Sequence, residues 1–131
     1  MSAQASSARK SLPTGPMAAA LVAVPIGAVS LLLAHHSAVQ SKVLEAAVYG
    51  MGKWIPGAEG SGSGGSIGPY SGKEVIAVVA WLTGWLVLHA LWRKREIRLE
   101  PVLMGFFAAM GVITLLFLHP LADPIFSRVF G

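Results

Sequence analysis

Four histidines carry most of the chemistry this sequence can offer. His35 and His36 stand together at the end of one apolar run, His119 closes another, and His89 lies inside a third. Asp123 follows His119 by about one helical turn. Convergent imidazoles can ligate a haem iron, copper or zinc. Trp81, Trp85 and His89 recur at four-residue spacing, with Trp92 three further on. A lone His on such an aromatic face suits an axial ligand to haem or chlorophyll. Each feature also has a plainer reading. Helix ends are where imidazoles meet headgroups, water and backbone, and a Trp/His face equally suits a helix packed on a partner or an aromatic belt. His89, His35, His36 and His119 are therefore the candidate cofactor ligands, haem or chlorophyll the candidate groups, and no metal set is assigned.

Nothing else assembles into a catalytic set. The chain has no Cys, which removes thiolate zinc sites, cysteine nucleophiles and disulfide frameworks. The apolar runs contain no Asp, Glu, Lys or Arg, the groups that proton and ion pathways normally require. Ser30, Thr83 and Thr114 are isolated hydroxyls, expected to bond back to their own helices. The Gly/Ser run at 57–66 lacks the G-x-x-x-x-G-K-[ST] pattern and follows no strand, so it is not a phosphate cradle. The sequence thus predicts a protein that is not an enzyme.

The elements that position these residues follow from composition. The chain has 131 residues, 54% of them hydrophobic and 12% charged, with a net charge of +4. An average soluble domain carries about twice that share of charge, and a small fold cannot hide so much apolar surface. The bilayer is the expected solvent. Three uncharged runs, 17–34, 75–92 and 101–118, approach the length of about 17–25 residues that crosses hydrocarbon. Helices satisfy their own backbone in lipid, so the expected fold class is an all-α integral membrane protein with three transmembrane helices, at 17–36, 75–92 and 101–119.

Local signals bound these helices. Ser71 to Glu74 fits a capping box before the second span. Pro101 suits a first helical turn, and Pro120 is expected to stop the third helix. Pro25 inside the first span predicts a kink. A cleaved signal peptide is not expected, because Leu32, His35 and His36 occupy the places a small-x-small cleavage pattern needs. Residues 1–16 read as a soluble tail.

The outer loop, 37–74, divides in two. Its front half, 39–54, has helical apolar spacing and reads as an amphipathic interfacial helix. Residues 57–68 read as a flexible Gly/Ser linker. The C-terminal stretch, 120–131, reads as an outer, non-helical tail. Lys and Arg set the orientation. Arg9, Lys10, Arg93, Lys94, Arg95 and Arg98 fall on one side, against Lys42, Lys53, Lys73 and Arg128 on the other. The N-terminus is expected on the cytoplasmic or equivalent inner side and the C-terminus outside, with a basic inner loop at 93–100.

Each span carries a face of small residues: Ala19, Ala23 and Gly27; Ala80 and Gly84; Gly105 and Ala109. Such faces let helices approach closely. Trp81, Trp85, Trp92, Phe106 and Phe107 then face lipid or other subunits, and Arg93, Lys94, Arg95 and Arg98 suit anionic lipid. So short a loop held at a membrane is no nucleic-acid site. These features predict a small non-catalytic accessory subunit of a larger membrane complex, respiratory or photosynthetic, with membrane lipids and other integral subunits as partners. A haem- or chlorophyll-binding subunit is the second reading, and a homo-oligomeric channel or transporter the third.

Overall fold

A computed structural model of the protein describes residues 12–59, 67–68 and 70–130. The described residues form five helices and no strand: α1 (Gly15–Gln40), α2 (Lys42–Gly52), α3 (Tyr70–Trp92), α4 (Leu99–Leu116) and α5 (His119–Phe130). α1, α3 and α4 are long and apolar enough to cross a membrane. At 1.5 Å per residue they measure about 39, 34 and 27 Å, against a hydrocarbon core of about 30 Å.

α1 is the central element. α3 packs along one side of it and α4 along another, while α3 and α4 do not touch each other. About a third of the most apolar stretch of α1 is buried, and none of that of α3, so α1 supplies most of the interior. Its small face explains the close packing. Ala19, Ala23 and Gly27 are buried, and a Cβ on Gly27 would lie 2.8 Å from the Trp81 Cβ. Only glycine lets α3 approach this closely.

The helices run alternately up and down, which gives the bundle two ends. At the loop end, the Gly15 N–H donates to the Arg95 carbonyl at 3.0 Å. The Thr14 hydroxyl donates to the Ile97 carbonyl at 2.6 Å and accepts from the Ile97 N–H at 2.7 Å. Thr14 therefore ties the start of α1 to the α3–α4 loop instead of capping its own helix. At the opposite, histidine end, α2 lies across the start of α3. Gly72 is essential there, because a Cβ would overlap the Val48 carbonyl.

Several local expectations change. α1 begins at Gly15, so residues 15 and 16 of the expected tail are helical. The break before α2 falls at Ser41, whose backbone is extended. Ser71 lies inside α3, and its hydroxyl donates to the Gly68 carbonyl at 2.8 Å, so it does not cap the helix. The expected non-helical tail is α5. Pro120 starts this helix instead of ending α4, which stops at Leu116. The reason is positional: a first-turn proline lacks an N–H that would be unpaired anyway. Apolar Ala122, Phe126 and Phe130, four residues apart, then give α5 a face to lay on α1. With Leu32, Leu116 and Phe117 they form the largest side-chain core of the molecule among the described residues.

The base of the 57–68 segment is closed. The Ile67 N–H donates to the Gly57 carbonyl at 3.4 Å and the Gly68 N–H to the Ala58 carbonyl at 3.3 Å. Residues 60–66 of the expected linker, and 1–11 of the expected tail, lie outside the described residues.

Candidate functional site at the histidine end

α1, α4 and α5 bring three of the four histidines together. The ring centroids of His35, His36 and His119 lie 5.2, 5.2 and 5.4 Å apart. α1 contributes two adjacent residues that point differently: His36 is fully buried and His35 is half-buried. His119 arrives on the first turn of α5, and Asp123 follows one turn on.

Hydrogen bonding assigns the tautomers. The His36 Nε2 lies 2.9 Å from the Leu116 carbonyl. A carbonyl only accepts, so Nε2 carries the proton and donates. That bond satisfies one of the last carbonyls of α4, which has no partner within its own helix. The His36 ring also stacks on Phe126 at 4.3 Å, with planes 3° apart. Its other nitrogen, Nδ1, lies 3.8 Å from the Asp123 Oδ1. That is too long for a hydrogen bond, and both atoms are buried without a hydrogen-bond partner among the described residues. With the proton on Nε2, two acceptors face one another.

His35 is held by a residue the sequence reading passed over. Lys73, on the first turn of α3, is only 6% exposed, and its ammonium lies 3.4 Å from the His35 Nδ1. An ammonium donates and cannot accept, so the His35 proton sits on Nε2. It is donated to the His119 Nε2 at 3.3 Å. Lys73 also lies over the Tyr70 ring at 4.7 Å. The chain of donors runs from Lys73 through His35 to His119, and joins α3, α1 and α5. Lys73 was legible in principle. Antiparallel spans put the start of the second beside the end of the first, and so bring this cation to the His35 level.

His89 stands apart. Its ring lies 5.4 Å from that of Trp85 on the same face of α3, and its Nδ1 is buried without a hydrogen-bond partner among the described residues. Trp81 is substantially exposed. The basic residues Arg93, Lys94, Arg95 and Arg98 are all exposed in the loop, and Trp92 is half-buried above them.

Among the described residues, no three His, Asp or Glu side chains are arranged to hold a metal ion. The hydroxyls of Ser30 and Thr114 donate to the carbonyls of Ile26 and Met110, four residues back, at 2.9 and 2.8 Å. The other small faces are less filled than that of α1. Gly84 meets the Ile26 side chain, while a Cβ on Gly105 would touch nothing within 4 Å.

The chain matches no family model, no curated protein and no solved structure.

Proposed function

We propose that this protein is a small, non-catalytic subunit of a larger membrane protein complex, with a respiratory or photosynthetic assembly as the leading setting. The observation that carries the reading is the splayed array itself. α3 and α4 straddle α1 without meeting, so α3 and α4 each present long uncovered apolar faces, including Leu86 on α3 and Phe107 on α4. Three helices of this kind fit a span of the bilayer, with neighbouring subunits covering what the chain leaves open.

The histidine end supports the same reading from its chemistry. The His36 Nε2 is engaged with Leu116, and His35 lies between Lys73 and His119. These contacts link α1, α3, α4 and α5. In this proposal the N-terminus lies on the inner side with the basic loop. α2 lies in the outer interface, where Val43, Met51 and Trp54 are exposed, and 57–68 serves as an outer linker. The test is solubilisation of native membranes in mild detergent followed by mass analysis. The chain should travel in fixed ratio with other integral membrane proteins; a lone monomer sinks the proposal.

A second reading rests on His89. A buried imidazole nitrogen without a partner, beside Trp85, suits a haem or chlorophyll ligand in a complex. A visible spectrum that is unchanged in His89→Ala removes it.

A further inference from the structure

The splayed arrangement leaves a trough on one side of α1, between α3 and α4. Its α4 wall, a crevice of about 580 Å³, is lined by Val22 and Pro25 of α1 with Pro101, Val102, Gly105 and Phe106 of α4. Its α3 wall, about 590 Å³, shares Ile26 as a floor. Two features of this trough point to what occupies it.

The first is its length. Toward the histidine end, Met51 of α2 lines the α3 crevice beside Ile26 and Ile76, and Phe130 of α5 lines a further crevice with Ser30 and Leu33. The crevice against α4 runs along α1 from Val22 to Ser30, roughly 12 Å at 1.5 Å per residue. A spanning helix needs about 30 Å, so this crevice lies within half a bilayer and suits one acyl chain of one leaflet. The second is its mouth. Pro101 and Val102 lie on the first turn of α4, one turn from Arg98 and the loop that carries Arg93, Lys94 and Arg95. All four cations are exposed, against two carboxylates, Glu96 and Glu100.

We propose that the trough is a binding site for one anionic phospholipid of the loop-side leaflet. An acyl chain lies between α1 and α4, and the phosphate headgroup sits on the Arg93–Arg98 cations. The missing side chain at Gly105 makes room for the chain. The cations supply preference for a negative headgroup, about fivefold per charge near a membrane surface.

Native mass spectrometry of the purified full chain, loaded from micelles with phosphatidylglycerol or with phosphatidylcholine, tests this. The wild-type chain should retain one phosphatidylglycerol at least tenfold more than phosphatidylcholine. Gly105→Phe fills the trough in open space, where nothing lies within 4 Å of a Cβ, so it leaves the fold intact. It should lower retention of both lipids about tenfold. Arg95→Gln with Arg98→Gln, both exposed, should leave phosphatidylcholine retention unchanged and lower the preference for phosphatidylglycerol by up to about 25-fold. Equal retention of the two lipids by the wild-type chain, or full retention by Gly105→Phe, overturns the proposal. So does a lipid-free dimer that dissociates in Gly105→Phe, which would put a second copy in the trough.

Discussion

Truncating His36 is the most informative perturbation of the histidine end. Three contributions disappear in His36→Ala. The bond to the Leu116 carbonyl, 2.9 Å long, contributes about 1 kcal/mol net. The parallel stack on Phe126 at 4.3 Å contributes about another 1 kcal/mol. Removing a fully buried ring leaves a cavity that costs about 1–2 kcal/mol after partial collapse. Together they amount to about 3 kcal/mol, or about a hundredfold in an opening equilibrium. The loss falls on the docking of α5 and of the α4 end that leads into it, because Phe126 and Ala122 are the buried residues of α5 and Leu116 packs against the same cluster. Hydrogen exchange in detergent micelles reads this directly. Amides of α5 should exchange about a hundredfold faster in His36→Ala, while those in the middle of α3 stay protected. His36→Phe keeps a ring on Phe126 and loses only the hydrogen bond, so its effect should be about fivefold. Unchanged α5 exchange in His36→Ala would refute the claim that this imidazole holds the helix down.

Three further outcomes follow from other parts of the fold. Gly27→Ala places a Cβ 2.8 Å from that of Trp81 and should destabilise the α1–α3 contact by about 1–3 kcal/mol. Gly111→Ala, which meets nothing within 4 Å, should be neutral or stabilising by up to about 1 kcal/mol; denaturation in mixed SDS micelles compares the two. Thr14→Val removes both hydrogen bonds to Ile97; a destabilisation of about 1–2 kcal/mol should appear in the same titration, with faster exchange confined to the loop end. The Glu45 carboxyl, in the first turn of α2, is held below its ordinary value of 4.5 by the hydrogen bond from Lys42 and then by the Lys42 charge. Its stabilisation of α2 is therefore complete above that ordinary value and is lost as pH falls through the lower folded value. Amide protection of α2 should drop on acidification through that window, and Glu45→Gln should flatten the drop.

The three long apolar helices and their alternation were legible because their signal is compositional. Uncharged runs such as 75–92 have few other folds open to them. The small face of α1 was legible too, since Ala19, Ala23 and Gly27 share a helical stripe. α5 was not. Its two prolines read as breakers, and its helical character depends on where Pro120 falls relative to the α4 terminus and on a surface of α1 that only tertiary structure provides. The convergence of His35, His36 and His119 followed from topology, because up-down spans place helix ends at common levels. The partners of those rings did not follow. Leu116 is an ordinary apolar residue whose backbone carbonyl matters, and the role of Lys73 depends on its burial. The trough between α3 and α4 was illegible for the same reason: spacing shows that Gly105 and Ala109 share a face, and says nothing of whether another helix fills it.

The central claim is that the uncovered faces of α3 and α4 meet other membrane subunits. Photocrosslinking in native membranes tests it most directly, with a photoreactive amino acid in place of Phe107, a side chain well exposed on α4. The account predicts a discrete adduct whose added mass is that of a different integral membrane protein. An adduct pattern of lipid alone, or of a second copy of this chain, would contradict it.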